Sequence, residues 1–183
     1  MEQKLKHILI IIGSERTHSF NRAIALYTKK ALMSKSEVSI LDYSALPFIN
    51  QDLENNLPEE VKRVKEKVKK ADILWFFTPE YNQSYPGAVK NLIDWLSRPE
   101  TPGDYSSGTA IKGKKCIITS AAGKSKGMNV INKIEELLSA VKAEITTESL
   151  GIQIPPASFS SDIMDISEEV QKSIEKQCSA ALS

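Results

Sequence analysis

The sequence predicts an α/β domain in which helices cover both faces of a doubly wound, five-stranded parallel sheet. Short apolar runs alternate with amphipathic stretches along the chain. The runs are almost continuously apolar, as expected for strands that are covered on both faces. The alternation repeats five times without a linker or a change in composition. Residues 1–183 are therefore expected to form a single domain.

The candidate strands are apolar runs rich in β-branched residues, at 8–12, 38–41, 73–77 and 116–119, with a weaker run near 145–152. The candidate helices follow these runs, at about 20–33, 58–70, 87–97, 127–142 and 166–180. Sheets of this kind bind ligands beyond the carboxyl ends of their strands, where the strand order reverses. The loops after the first, third and fourth strands are therefore the candidate site.

Composition favours a small molecule as partner. The chain has 24 basic and 23 acidic residues, a net charge of +1, so no overall field attracts nucleic acid or an anionic membrane. The apolar run at 8–12 is too short to cross a bilayer, and no small-residue cleavage site follows it. A cytoplasmic protein is therefore expected.

The two cysteines predict neither a metal site nor a redox pair. Cys116 and Cys178 are far apart in the sequence, the first in a candidate strand and the second in a candidate helix. Both are expected to be reduced, buried side chains, as is usual in a cytoplasmic protein.

The loop after the first strand carries several groups that suit a phosphate. It matches neither the GxGxxG dinucleotide pattern nor a Walker A loop. Ser14 and Ser19 offer hydroxyls, and Arg16 offers a guanidinium. Asn21 adds an amide beside the free N–H groups of a helix start, which attract anions. The same residues also fit a capped helix, with Ser19 as the N-cap, that follows a solvated loop. The spacing alone does not decide between these two interpretations.

The loop after the third strand is stiff and polar. Two prolines and a glycine in Pro79-Glu80-Tyr81-Asn82-Gln83-Ser84-Tyr85-Pro86-Gly87 keep it out of helical structure. Its tyrosines, amide and free backbone groups suit the edge and face of a flat heterocycle. The alternative is a turn whose two tyrosines cover the core. The number of polar groups in so stiff a loop favours binding.

The loop after the fourth strand contains two misleading motifs in Ser120-Ala121-Ala122-Gly123-Lys124-Ser125-Lys126-Gly127. Its Gly-Lys-Ser resembles the end of a Walker A loop, but Ile118 stands where the first glycine is needed. Its GxSxG pattern resembles a hydrolase, yet both histidines precede Ser125, whereas that fold needs a histidine after it. The small residues of this loop instead let backbone N–H groups approach a ligand closely.

Two motifs together resemble those of the NADPH-dependent FMN reductase family, flavodoxin-like proteins that include azo-dye, quinone and chromate reductases. The first is Gly13-Ser14-x-Arg16-x-x-Ser19-x-Asn21-Arg22. The second is Pro79-Glu80-Tyr81-Asn82-x-Ser84-x-Pro86-Gly87-x-x-Lys90-Asn91-x-Ile93-Asp94-Trp95. The motifs lie in the right order on the right loops, and the resemblance extends from residue 8 to about residue 154. It implies a flavodoxin-like fold that binds FMN.

The resemblance also implies which residues hold the cofactor. Its phosphate would be held by the first loop, at Ser14, Arg16, Ser19 and Asn21, with Phe20 near the turn. The isoalloxazine edge would be lined by Pro79, Glu80, Tyr81 and Asn82. The other side would be closed by Ser120, Ala121 and Gly123. A homodimer or homotetramer is implied as well, with the helix at 90–96 near the subunit contact.

The activity implied by the resemblance is that of an oxidoreductase. NADPH or NADH would reduce FMN, and a small acceptor (a quinone, a free flavin, an azo compound or a metal oxyanion) would then be reduced at the same face. Because the cofactor carries the chemistry, no acid–base residue and no metal ligand is assigned. The alternatives are a flavodoxin-like electron carrier and a flavin-binding module without turnover. Such carriers tend to be strongly acidic, so the net charge of +1 argues against a carrier.

One segment departs from the pattern of the family. Residues 99–113 look longer than usual, and their Pro-Gly and Ser-Ser-Gly sequences and single Tyr105 predict a flexible cover over the flavin. The preference for NADPH or NADH stays open.

Overall fold

The architecture is a parallel sheet between two layers of helices. The structure is a computed structural model and describes residues 5–183. Along the chain its elements are β1 (His7–Ile12), α1 (Phe20–Leu32), β2 (Glu37–Ile40), a 3₁₀ turn (Gln51–Asn56), α2 (Glu59–Lys70), β3 (Ile73–Thr78), α3 (Gly87–Leu96), β4 (Pro99–Thr101), β5 (Asp104–Thr109), β6 (Lys115–Ala122), α4 (Met128–Ala140), β7 (Glu144–Ile145), β8 (Leu150–Gln153), α5 (Pro156–Ser161) and α6 (Glu168–Leu182). Every helix in this part of the chain is too short or too polar to cross a bilayer.

The strand order puts β1 and β3 side by side in the sheet. β1 pairs in parallel with β2 on one side and with β3 on the other. β3 then pairs with β6, which pairs in parallel with both β7 and β8. The chain moves outward from β1 to β2 and returns to β3 on the far side of β1. The doubly wound parallel sheet is confirmed, and its switch point lies between the carboxyl ends of β1 and β3.

Alternate residues of the central strands pack against opposite helix layers. In β3, Leu74 and Phe76 join the cluster formed with α2, α3 and α4. Trp75 and Phe77 join the cluster formed with α1 and α6. All four side chains are fully buried. Burial on both faces explains why the strands read as unbroken apolar runs.

The fifth position of the sheet is split into two short strands, where the sequence predicts a single weak run. β7 pairs with Lys115 and Cys116, whereas β8 pairs with Thr119 through Ala122. The Thr146 N–H still donates to the Cys116 carbonyl at 3.1 Å, and residues 147–149 then leave the ladder. Pairing with β8 also extends β6 to Ala122, past the predicted end at 119. Residues 120–122 are small or polar, so the apolar run ends before the strand does.

Gln177 of α6 fills the gap in the fifth position. Its Nε2 donates to the carbonyl oxygens of Ile118 at 3.1 Å and Glu148 at 3.0 Å. Its Oε1 accepts from Thr119 Oγ1 at 2.7 Å, and Thr119 Oγ1 accepts in turn from Trp75 Nε1 at 2.9 Å. A buried polar group without a partner costs about 1–3 kcal/mol. This series of hydrogen bonds therefore satisfies the polar groups that the break in the buried strand leaves without ladder partners.

Residues 99–109 form a β-hairpin that is anchored away from the crevice. β4 and β5 pair antiparallel, and Glu100 forms ion pairs with Lys65 at 3.1 Å and Lys69 at 2.7 Å. Both lysines belong to the second half of α2, which runs toward the amino ends of the strands. The hairpin residues do not line the crevice at the switch point. The prediction of a cover over the flavin of this chain is therefore wrong, because the lysine pairs hold the hairpin elsewhere.

Gln177→Leu is expected to lower the free energy of unfolding by about 2–3 kcal/mol. The Ile118 carbonyl loses the donor from Gln177, and the Thr119 hydroxyl, which still accepts from Trp75, loses its acceptor. Urea unfolding followed by circular dichroism measures this loss. Gln171→Leu is the matched control on the same helix. It removes one part-buried hydrogen bond to Ile166 and is expected to cost about 1 kcal/mol or less. Equal losses in the two variants would contradict the role of Gln177.

Candidate functional site

A cleft of about 460 Å³ opens at the switch point, beyond the carboxyl ends of β1, β3 and β6. All but two of the predicted cofactor-binding residues line it: Ser14, Arg16, Ser19, Phe20, Asn21, Pro79, Glu80, Tyr81, Ala121 and Gly123. Its size lies within the range of small-molecule sites, roughly 300–1,000 Å³. The three loops singled out from the sequence thus meet at one place.

Ser120 and Asn82 are predicted site residues that do not line the cleft. Ser120 is fully buried, and its Oγ donates to the Thr78 carbonyl at 2.7 Å. Asn82 has a φ of 50° and is followed by Gln83 at 60°, so the two residues form the turn of a small hairpin. Tyr81 and Ser84 close this hairpin through backbone hydrogen bonds of 2.9 and 3.0 Å. Asn82 thus shapes the loop that presents Tyr81.

Three lining residues were not predicted from the sequence: Ile154, Phe159 and Asp162. All three follow β8, whose carboxyl end lies at the same edge of the sheet. Ala122, which also lines the cleft, belongs to the predicted loop at 120–123. The sequence predicts a site on the loops after the first, third and fourth strands. The loop after β8 lies at the same place, since all parallel strands of a sheet end at one edge. Pro155 and Pro156 were the available signal of a chain turn there.

Close approach of β1 and β3 shapes the floor of the cleft. The Gly13 N–H donates to the Phe77 carbonyl at 2.7 Å. A Cβ on Gly13 would lie 2.7 Å from Thr78 Oγ1 and 3.0 Å from a methyl carbon of Val89. A residue with a side chain would therefore push the two strand ends apart. Gly13 is required here for space.

Arg16 and Asp162 form an ion pair across the cleft. Their side chains are 46% and 51% exposed, so solvent screens the pair. The guanidinium also lies 4.9 Å from the centre of the Phe20 ring. The Phe20 ring meets Phe159 edge-on at 5.4 Å. The cation that the sequence assigns to a phosphate is thus oriented by an aromatic ring and balanced by a carboxylate.

Asn21 joins the first loop to the third wall of the cleft. Its Nδ2 donates to the Ala121 carbonyl at 3.0 Å, and its Oδ1 accepts from the Ala121 N–H at 2.9 Å. The side chain is 2% exposed. The predicted role of Asn21 in holding a phosphate has no support in this arrangement, because its amide is engaged by the backbone of β6. Its observed contacts hold the start of α1 against the end of β6.

Ser14 and Ser19 lie where the first helix begins. Ser19 is the N-cap of α1, and its hydroxyl accepts from the Arg22 N–H at 3.3 Å. The hydroxyl of Ser14 accepts from the Arg16 N–H at 3.3 Å. The first N–H groups of a helix have no acceptor within the helix, so this corner of the cleft attracts anions. The capped-helix interpretation and the phosphate interpretation are therefore compatible.

Glu80 caps the start of α4 from a different loop. Its carboxylate accepts from the backbone N–H groups of Asn129 at 3.2 Å and Val130 at 3.3 Å. It also accepts from Asn129 Nδ2 at 3.1 Å. Burial raises the pKa of Glu80, but hydrogen bonds from Asn129, Ser125 and Val130 outweigh it and hold the pKa below its usual range. The charged carboxylate replaces the side-chain cap that Gly127 cannot provide.

The two ends of the cleft differ in chemistry. One end has Arg16 and the first turn of α1, which suit an anion. The other end has Pro79 and the half-exposed Tyr81, which suit a flat ring. A Cβ on Gly123 would meet no atom within 4 Å, so this wall leaves open space for a ligand. In residues 5–183, no His, Cys, Asp and Glu side chains group as a metal site requires.

The sequence profile of the NADPH-dependent FMN reductase family matches residues 7–154. The chain belongs to this family. The flavodoxin-like fold and the family resemblance stated from the two motifs are confirmed. The match ends before α5, so Phe159 and Asp162 lie beyond it.

Relatives of this FMN reductase family member are named for quinone reduction. A quinone reductase from Escherichia coli K12 is 33% identical over 150 residues, which cover 79% of this chain and 75% of that protein. A 2-hydroxy-1,4-benzoquinone reductase from a Burkholderia species is 38% identical over 92 residues. The chain spans about half the length of that protein and of several other relatives.

A solved structure is similar over nearly the whole chain. FerB, a flavoenzyme NAD(P)H:(acceptor) oxidoreductase from Paracoccus denitrificans, superposes with a TM-score of 0.83 at 27% identity. The superposition covers 97% of this chain and 96% of FerB. The similarity therefore extends past residue 154 to the C-terminal helices.

Glu80→Gln is expected to destabilise the protein by about 1 kcal/mol at neutral pH, the typical cost of a lost helix cap. A carboxylate whose pKa is lowered by folding stabilises fully above its unfolded pKa of about 4.3. That contribution is lost as the pH falls through the lower folded pKa. The difference between wild type and variant should therefore shrink below about pH 4 in urea unfolding experiments.

Glu136→Gln is the matched control for this experiment. Glu136 lies on the same helix and is exposed. Its substitution makes the same change in charge without removing a cap, so little loss of stability is expected. If both variants behave alike at every pH, Glu80 is not the cap of α4.

Proposed function

We propose that this protein is an FMN-dependent oxidoreductase that passes reducing equivalents from NAD(P)H to a small electron acceptor. The observation that carries the proposal is the cleft at the β1–β3 switch point, with its cationic helix start at one end and its flat wall at the other. Membership of the FMN reductase family supports the same conclusion.

The residues of the cleft fit FMN. Arg16, Ser19 and the first N–H groups of α1 would hold the phosphate, as would the hydroxyl of Ser14. Pro79 and Tyr81 would lie along the ring, and the N–H groups of the loop that ends at Gly123 would face its other side. Phe159, which is 57% exposed, adds an apolar wall to the cleft. For phosphate binding, Arg16 must exchange its contact with Asp162 for the phosphate.

The chemistry that bound FMN supplies is acceptance of hydride from NAD(P)H and release of electrons to an acceptor. The residues of this chain would bind FMN and orient it. Arg16 and the start of α1 fix one end of the ligand. The loop of Tyr81 is braced by its hairpin hydrogen bonds and by the contacts of Glu80 with α4. No side chain of the cleft is needed as a proton donor.

Quinones are the first acceptors to test, because the relatives named above are quinone reductases. Free flavins, azo compounds and metal oxyanions remain candidates, since the cleft is open to solvent on the side of the half-exposed Tyr81. The net charge of +1 favours an enzyme over a carrier that docks through an acidic surface.

We also propose that the chain forms a single domain over residues 1–183 and assembles as a homodimer or homotetramer. Phe48 is 85% exposed and lies in a segment that is tied to α3. From α3, Asn91 accepts from the Ile49 N–H at 2.8 Å and donates to the Pro47 carbonyl at 3.0 Å. An exposed ring beside this helix supports a subunit contact there.

Buried, unpaired Cys116 and Cys178 support a location in the reducing cytoplasm.

Purified and desalted protein is expected to be yellow, or to become yellow on addition of FMN, and to bleach when NADPH or NADH is added without oxygen. The visible spectrum measures both steps. A quinone added to the bleached protein should restore the colour. A colourless protein that takes up no FMN contradicts the cofactor, and a yellow protein that neither nucleotide bleaches contradicts the enzyme.

Arg16→Ala is expected to weaken FMN binding by roughly tenfold or more, because a hydrogen bond to a charged group is worth about 1.5–3 kcal/mol. Asp162→Asn should act in the opposite direction and tighten FMN binding by up to about fivefold, since it removes a competitor for Arg16. Fluorescence titration with FMN measures both effects, and riboflavin, which lacks the phosphate, should bind both variants alike. Lys62→Ala, which removes a cation from α2, is the control. Weaker FMN binding in Asp162→Asn would make Asp162 a ligand, not a competitor.

A further inference from the structure

A second cleft of about 350 Å³ opens beside the first, between the carboxyl ends of β1 and β2. Ile12 and Leu41 form its apolar floor, and Ser14 lines both clefts. A ligand that occupies the first cleft can therefore extend into the second without crossing the sheet. The function proposed above does not use this cleft.

Arg22 is the cation among the residues that line the second cleft. In the described part of the chain its side chain forms no ion pair, and its Nε is buried without a hydrogen-bond partner. Tyr43, which also lines the cleft, does not satisfy it, because the Tyr43 hydroxyl donates to the Ile12 carbonyl at 2.8 Å. A buried guanidinium nitrogen without an acceptor is costly, so this position favours an anionic ligand.

Asp42 supplies the opposite chemistry on the wall formed by the end of β2. Its Oδ1 accepts from the Ser44 N–H at 3.2 Å and from the Ser44 hydroxyl at 2.8 Å. These hydrogen bonds lower the pKa of Asp42, so the group stays a carboxylate near neutral pH. Its Oδ2 accepts nothing among residues 5–183 and is available to hydroxyl donors. Glu15 adds a second exposed carboxylate to the same cleft.

We propose that the second cleft binds the ADP-ribose part of the hydride donor, with Arg22 on a phosphate and Asp42 on the hydroxyls of a ribose. The inference rests on the proposed function, because it assumes that a pyridine nucleotide reaches the first cleft. A phosphate and a vicinal diol are the two groups that one free guanidinium and one free carboxylate oxygen recognise. Ser14 joins the clefts, so a single extended dinucleotide contacts both.

The charges of the cleft also select between the two donors. Among the side chains that line the cleft, Arg22 is one cation against the carboxylates of Asp42 and Glu15. Arg63 and Lys67 of α2 also act on Asp42 from outside the cleft, but Arg63 is already paired with Glu60. The hydroxyls of an unmodified ribose can donate to the Asp42 carboxylate. A 2′-phosphate in the same place would be repelled by it, because both groups are negative. NADH is therefore the preferred donor.

Isothermal calorimetry on the protein as purified, titrated with ADP-ribose and with 2′-phospho-ADP-ribose, tests the inference without turnover. ADP-ribose is expected to bind more tightly than its 2′-phosphate. Arg22→Gln should weaken the binding of ADP-ribose by about tenfold or more. Asp42→Asn should weaken the binding of ADP-ribose and reduce the difference in affinity between ADP-ribose and its 2′-phosphate. Lys30→Gln, an exposed cation on the same helix as Arg22, is the matched control and should change neither.

The outcomes separate this inference from the proposed function. A yellow protein that NADH bleaches but that binds no ADP-ribose overturns the inference and leaves the function intact. Binding that depends on Arg22 in a protein that never takes up FMN supports the second cleft and overturns the function. If Arg22→Gln lowers FMN affinity and leaves ADP-ribose binding unchanged, Arg22 belongs to the cofactor cleft and the inference fails. Tighter binding of the 2′-phosphate overturns the preference for NADH.

Discussion

The close approach of β1 and β3 at their carboxyl ends is the constraint on which the site depends. It requires Gly13, because any side chain there would collide with Thr78 and Val89. The reversal of strand order at this point sends the first loop to one side and the third-strand loop to the other. A crevice between them follows from the topology. Its chemistry is decided by the residues that the two loops place along it.

Polar contacts between the loops keep this crevice in one shape. Asn21 binds the backbone of Ala121, Glu80 caps α4, and Ser120 binds the carbonyl of Thr78. Each contact joins segments that are far apart in the sequence. Three residues that the family resemblance assigns to the ligand thus act on the protein itself. Binding loses less free energy when the loops are already ordered, so these scaffold contacts serve the ligand indirectly.

The sequence was informative where one physical rule dominates. Burial on both faces makes the strands apolar, so the central strands and the switch point were predictable from apolar runs and their order. The role of Gln177 was not predictable, because this side chain fills a gap in the fifth strand position that only the pairing of the strands in three dimensions reveals. The hairpin at 99–109 has flexible composition, and its position depends on the distant Lys65 and Lys69. Asn82 and Ser120 were assigned by resemblance, which does not distinguish a residue that contacts a ligand from one that shapes its loop.

The charges at the switch point explain why the C-terminal segment belongs to the site. Arg16 lies within the residues that match the family profile, and it is paired with Asp162, which lies beyond them. Because solvent screens this half-exposed pair, a doubly charged phosphate that accepts two hydrogen bonds would compete effectively with Asp162 for Arg16. Phe159 covers the same corner through its contact with Phe20. In the proposed function, the loop of Arg16 would hold the phosphate, and the segment after β8 supplies the carboxylate that the phosphate would displace.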